Sequence, residues 1–202
     1  MNHSHKIPPI LLFCLLFLIT ACAANQVATT PTTESSSSAP TKESPVVATV
    51  GPFGLSSPAF KDGEEMGDKY IYKMGSQCNG ENYSPALEWT GAPIATESFA
   101  ITILDPDGGN WVHWVQFNIP AGTNNLPEVI GGPDIGIKGR NDFYSMGYGG
   151  PCPPGGTHRY IFTLYALDTL LDLPEGTKLK DLLVAMDEHI LAETQLTGLR
   201  TK

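Results

Sequence analysis

Glycine and proline punctuate this chain so densely that a helix bundle is a poor fit before any motif is read. There are 21 glycines and 17 prolines among 202 residues, close to a fifth of the chain. Each proline removes a backbone donor and each glycine loosens the backbone, so many turns joining short strands are favoured. Ser98 to Leu104, Trp111 to Ile119 and Arg159 to Leu167 are rich in β-branched and aromatic residues and read as strands. Shorter candidates are Lys69 to Lys73, Ala86 to Trp89 and Thr194 to Leu199. The one clear helix follows Pro174, where Leu179, Leu182, Leu183, Met186 and Ile190 form an apolar stripe and Thr177 is placed to be the N-cap. The expected fold class is mainly β: a two-sheet β-sandwich with peripheral helices, one of them in the C-terminal region.

The first 21 residues read as an address rather than as part of that fold. Residues 10–19 are an unbroken apolar run. Ten helical residues span about 15 Å, half a bilayer core, which suits a signal peptide and not a transmembrane anchor. The run ends in Ile19-Thr20-Ala21-Cys22, which resembles the bacterial lipobox, whose cysteine is acylated and becomes the mature N-terminus. An ordinary signal peptide cut near Ala24 is the alternative. Ala23 stands where Gram-negative sorting looks for aspartate, so the expected location is the bacterial cell envelope, lipid-anchored, and the outer membrane facing the periplasm if the source is Gram-negative. Residues 22–51 are then the lipidated Cys22 plus a tether rich in Ser, Thr and Pro, too polar to offset the entropy of ordering. Residues 52–202 form a single domain.

Charge excludes one class of partner. The net charge is -9, so a nucleic-acid binder, which needs a basic face, is disfavoured. Removing residues 1–21 takes Lys6 with it and leaves 11 basic residues against 21 acidic ones, a charge of -10. The overall charge gives no support for electrostatic docking on anionic lipid. Of the four cysteines, Cys14 leaves with the signal, Cys22 carries lipid, and Cys78 and Cys152 remain. In an oxidising compartment that even pair is either a disulfide or two separate thiols near a pocket.

Three clusters carry chemistry. Asp105-Pro106-Asp107-Gly108-Gly109 follows a strand directly, and the proline ends the ladder and turns two carboxylates into a loop. An ordinary Asp-Pro turn reads the same way. His113 opens the next strand and, by simple alternation, shares the apolar face of Trp111, Val115 and Phe117, where a lone histidine is usually a core residue. Residues 147–156, Gly-Tyr-Gly-Gly-Pro-Cys-Pro-Pro-Gly-Gly, make a loop able to aim several N–H groups at one anion, and His158 and Tyr160 share a face of the strand that follows.

These clusters in this order resemble the phosphatidylethanolamine-binding protein family, and most closely its bacterial Raf kinase inhibitor-like branch. Asp105-Pro106-Asp107, His113 on a strand ending in Asn118-Ile119, Gly150-Pro151-Cys152-Pro153-Pro154 and His158-Arg159-Tyr160 carry the resemblance. Residues 78–89 and Gly139-Arg140-Asn141-Asp142-Phe143 extend it, so that it runs from about Phe53 to Leu199. The resemblance implies a two-sheet fold with a small anion pocket at one end, which holds phosphate, acetate or a phospholipid headgroup in family members. Asp105 and His113 would lie in that pocket, His158 and Tyr160 across it, and Gly150 to Pro154, with Pro153, would form its rim. Asp107 would shape the loop. Charged imidazoles and backbone N–H groups would attract the anion, with Asp105 orienting a histidine or raising its pKa. Asp107 is followed by Gly-Gly-Asn where many relatives have another proline and a longer insert, so the rim is expected to differ.

The function expected is therefore binding of a small anion or phospholipid headgroup, with an unidentified protein partner and a homodimer both left open. A hydrolase using the same histidines and carboxylates is one rival, and a protease- or kinase-inhibitor-type interaction module is another. No HxH, HExxH or Cys/His spacing points to a metal, no Gly-x-Ser-x-Gly elbow or P-loop is present, and no cofactor is expected. His189, beside the helix stripe, reads as structural. The lipobox reading makes a direct prediction: the intact mass of the protein from its own envelope lacks residues 1–21 and carries acyl chains on Cys22. A mature N-terminus near Ala24 with no added lipid would overturn it.

Overall fold

The computed structural model describes residues 51–202. The expected signal segment, Cys22 and nearly all of the 22–51 tether lie outside the described residues. The described chain is mainly β. In order, its strands are β1 (Gly54–Ser56), β2 (Glu64–Glu65), β3 (Lys73–Met74), β4 (Cys78–Asn79), β5 (Tyr83–Ser84), β6 (Leu87–Thr90), β7 (Ser98–Asp105) and β8 (Trp111–Pro120). Then follow β9 (Asn125–Leu126), β10 (Val129–Ile130), β11 (Ile137–Lys138), β12 (Thr157–Leu167), the helix α1 (Leu179–Met186) and β13 (Ile190–Thr201).

Two sheets face each other. The larger has six strands in the order β11-β8-β7-β12-β13-β2, and the smaller has three, β1-β6-β9. All neighbours in the large sheet are antiparallel except β13 and β2, so its two edges are two-residue strands, Ile137–Lys138 and Glu64–Glu65. The space between the sheets is filled from both sides. Leu55, Leu87, Trp89 and Leu126 come from the small sheet, and Phe99, Ile101, Ile103, Trp114, Phe162 and Leu164 from the large one. The opposite face of the large sheet carries Ala100, Val115, Phe117 and Leu167, covered by Leu182 and Met186 of α1. Central strand β7 is thus covered on both faces, which is why its sequence is an almost continuous apolar run and not an alternation.

Several local expectations are corrected. Lys69 to Lys73 is not a strand: a 3-10 turn occupies Asp68–Tyr70 and a strand begins only at Lys73. Thr177 does not cap the helix, because its hydroxyl donates back to the Pro174 carbonyl (2.6 Å) and Lys178 holds the cap position without a side-chain bond. The apolar stripe is also narrower than its spacing suggests. Leu182 and Met186 are buried, Leu183 is exposed, and Ile190 already belongs to β13. The helix ends at Met186 because Glu188 turns left-handed (φ 67°) and feeds the chain into the long ladder between β13 and β12. His189 makes a surface hydrogen bond to Asp168 (2.8 Å), a structural contact away from the helix stripe.

A disulfide joins Cys78 in β4 to Cys152, with Cα atoms 5.7 Å apart and a sequence separation of 74. It ties the β3–β4 hairpin to the glycine- and proline-rich segment before β12. A link across a loop of this length removes about 4 kcal/mol of chain entropy from the unfolded state. Urea unfolding with and without reductant is expected to show a loss approaching that figure, reproduced by Cys152→Ser. Equal midpoints for the oxidised and reduced protein would contradict it.

Candidate functional site

Asp105 at the end of β7, His113 in β8 and His158 in β12 line one cavity of ≈ 510 Å³, with Gly108, Pro153 and Lys202 around them. The three polar side chains are themselves almost fully buried in its wall. They converge because β8 and β12 flank β7 in the sheet.

His113 reaches the cavity through an irregularity. Ile103 pairs with Trp114 and Leu104 with Val112, so His113 is the unpaired residue of a β-bulge. A bulge re-aims the residue it contains. His113 consequently packs edge-on against Tyr160 and Phe143, on the cavity side of the sheet, while Val115 and Phe117 face α1. Simple alternation had grouped His113 with Val115 and Phe117, and that grouping is overturned. A second register shift, between Phe99 and Ile101, accompanies Asn118 at φ 52° and returns Ile119 to the inter-sheet core.

The ring of His113 is held by the backbone of the glycine loop. Its Nδ1 lies 2.7 Å from the Gly149 carbonyl and 3.1 Å from that of Gly150. Two carbonyl acceptors fix the proton on Nδ1, which leaves Nε2 with a lone pair. Burial holds the His113 pKa below its ordinary value of 6.5, outweighing the carbonyls and Asp105, which act the other way. His113 is therefore a neutral acceptor near pH 7, not one of the charged imidazoles expected.

His158 is built differently. Its Nδ1 donates to Asp105 Oδ2 (2.7 Å), and Asp105 Oδ1 accepts from the Gly108 amide (2.7 Å). Gly108 permits that approach, since a Cβ there would lie 2.7 Å from Asp105 Oδ2. The pair leaves His158 Nε2 unspent. Tyr160 lies beneath, 1% exposed, its hydroxyl beside Asp105 and the Cys152 amide without a hydrogen bond of ordinary geometry. Burial is the main cause of its strongly raised pKa, so it remains a phenol.

The other expected residues take indirect places. Asp107 stays out of the cavity wall and grips Arg159 through both oxygens (2.7 and 2.9 Å) and its backbone amide (2.9 Å), a contact that drives its pKa far down. It shapes the loop. The Gly149 and Gly150 amides do not point at a ligand, because they donate to the His113 carbonyl and to Asn82 Oδ1. The expectation of an anion cradle made from these N–H groups is thus corrected: Gly150 contributes a carbonyl to His113, while Cys152 and Pro153 contribute cavity wall. Gly150 is required for closeness, since a Cβ would sit 2.0 Å from the Tyr70 carbonyl.

Sequence reading missed several residues. Asn82, at φ 59°, positions the loop through Gly150. Phe143 forms the aromatic wall, stacked on Tyr72 at 3.9 Å and edge-on to Trp111. Both stand in stretches that carried the resemblance, which was the available signal. Lys202, an isolated lysine beyond the last expected strand, gave none.

The description of the phosphatidylethanolamine-binding protein family matches residues 56–201. The chain belongs to that family. It is 44% identical over 151 residues to a protein of Methanothermobacter thermautotrophicus, covering 72% of this chain and 96% of the relative. It is 38% identical over 155 residues to YbhB of Escherichia coli, covering 72% of this chain and 98% of YbhB. Among solved structures, the Escherichia coli YbcL structure superposes with a TM-score of 0.69 at 33% identity, covering 74% of this chain and 98% of that one. A homologue from Chlamydia trachomatis gives 0.67 at 36%, covering 74% and 97%.

The buried neutral His113 has a consequence for acid stability. Its folded pKa is depressed, so between that value and 6.5 the unfolded chain binds the extra proton and the folded one does not. Stability is complete above pH 6.5 and falls as pH drops below it. His113→Asn keeps a donor near the Nδ1 position without a titrating ring. The difference in melting temperature between wild type and His113→Asn is therefore expected to move in favour of the variant from pH 7.5 to pH 5. A constant difference would show that His113 protonates as easily folded as unfolded.

Proposed function

We propose that this family member is a binding protein whose cavity takes a small phosphate-bearing ligand, a phospholipid headgroup among the candidates. The observation that carries the reading is the Asp105–His158 hydrogen bond at the cavity wall. With Nδ1 engaged by a carboxylate, a protonated His158 offers Nε2–H to an anionic oxygen while Asp105 offsets its charge. His113 is complementary, since its Nε2 lone pair accepts a hydrogen bond from a hydroxyl or ammonium group. The cavity thus suits a ligand carrying both an anionic oxygen and a donor, as a phosphomonoester or phosphoethanolamine does. Lys202 adds a cation to the wall. Modulation of a partner protein by the occupied cavity belongs to the same proposal.

Residues 1–21 as a lipoprotein signal and Cys22 as an acylated cysteine complete it, holding the domain at a bacterial cell envelope on the 22–51 tether. A hydrolase is the second reading, because the same carboxylate–imidazole pair can orient Nε2 as a general base toward water.

Calorimetric titration of the protein with inorganic phosphate and with phosphoethanolamine tests both readings. Saturable one-to-one binding is expected, with the ligand recovered unchanged. Asp105→Ala and His158→Ala each remove one partner of a charge-assisted bond and should weaken binding about tenfold or more. Unchanged affinity in both variants would sink the cavity assignment. Release of phosphate from phosphoethanolamine, lost in His158→Ala, would replace binding with hydrolysis.

A further inference from the structure

A second feature stands beside the cavity, on the far side of Trp111. Tyr144 is 86% exposed and has a φ of 62°. A bulky residue in the left-handed region is strained and persists only where its surroundings hold it there. The buried Asn141 does so: its Oδ1 accepts from the Phe143 and Ser145 amides (3.0 and 3.1 Å), and its Nδ2 donates to the Gly147 carbonyl (3.0 Å). Buried polar bonds thus hold an aromatic ring out in water.

Tyr144 shares a shallow groove with Trp111 and Leu183, both partly exposed apolar side chains, and with Arg140, Lys178 and Lys180. Asp142 is the acidic residue of that groove, and its carboxylate accepts the Val112 amide (2.8 Å). Asp181 lies 3.9 Å from Lys180 on the solvent side. Among the described residues, no carboxylate is within ion-pair distance of Arg140 or Lys178. A chain of net charge -9 therefore gathers three of its 12 basic residues around exposed aromatic and aliphatic side chains.

We propose that this face docks on an anionic lipid surface, with Tyr144, Trp111 and Leu183 in the interfacial layer and Arg140, Lys178 and Lys180 on the lipid phosphates. Aromatic rings with an apolar body and a polar edge, flanked by lysine and arginine, suit the boundary between headgroups and acyl chains. The favoured occupant is a membrane and not an acidic protein segment, because Tyr144, although it borders the groove, leaves most of its ring in solvent, where an interfacial layer can take it. Trp111 also belongs to the wall of the Asp105–His158 cavity, so docking here brings the cavity to the lipid surface. The proposal goes beyond ligand binding and stands without it. It also refines the expectation from overall charge, which averages this cluster away.

The test is local to Trp111, so that the N-terminal segment does not dominate it. The full chain is mixed with vesicles of brominated phosphatidylcholine, with and without brominated phosphatidylglycerol, and tryptophan quenching is followed. Trp111→Phe identifies the signal. Quenching of Trp111 is expected only with phosphatidylglycerol, and it persists in Asp105→Ala, whose headgroup cavity is disabled. Removing two cations in Lys178→Ser/Lys180→Ser lowers that partitioning about thirtyfold, and Tyr144→Ser weakens it further. Absence of Trp111 quenching overturns the proposal, and a polyglutamate peptide that shifts Trp111 emission instead would assign the face to an acidic protein. Quenching lost in Asp105→Ala but kept in the lysine variant would show lipid entering the cavity without surface docking, which also overturns it. Failure of ligand titration with normal vesicle quenching would sink the cavity reading alone.

Discussion

The hydrogen bonds from one imidazole to two glycine carbonyls organise this end of the molecule. His113 sits in a central region of the large sheet, and Gly149 and Gly150 belong to a loop with little regular structure of its own. That loop is fixed from several directions: by His113, by Asn82 at the Gly150 amide, and by the Tyr148 hydroxyl, which donates to the Tyr70 carbonyl (2.8 Å). The disulfide at Cys152 then passes the constraint to β4. The cavity wall is consequently an extension of the sheet's order into a segment that would otherwise be free.

The cost of this arrangement is electrostatic. A ring placed to bind carbonyls is desolvated and stays neutral, so His113 contributes an acceptor and not a charge. The groups left to donate to a ligand are His158, whose Nδ1 is engaged by Asp105, and Lys202 at the wall. In the binding role proposed above, such a site would discriminate by hydrogen-bond pattern more than by net field. That suits a chain whose overall charge repels anions.

Much of the fold was legible in the sequence, and the reasons for success and failure are specific. Three of the four long strands, β7, β8 and β12, were readable because each carries a run of β-branched and aromatic residues longer than a turn permits, whereas β13 was read only from Thr194 to Leu199. The orientation of His113 was not, because a bulge adds one residue to a strand without any composition signal, and alternation then assigns the wrong face. Thr177 has the side chain of a cap, but its hydroxyl found the Pro174 carbonyl first. Asp105 and His158 are 53 residues apart, and only the family resemblance placed them together. The N–H cradle failed as an expectation because glycine composition says that a backbone can approach closely, and not which way its amides point.

The two-residue strands at the margins of the large sheet decide how it meets its surroundings. One margin ends in Glu64 and Glu65, the other in Ile137 and Lys138. Short, charged margins offer a neighbouring chain few free backbone groups to pair with. Where those short strands lie, molecules of this protein crowded together at high local density would touch through side chains and not through backbone ladders.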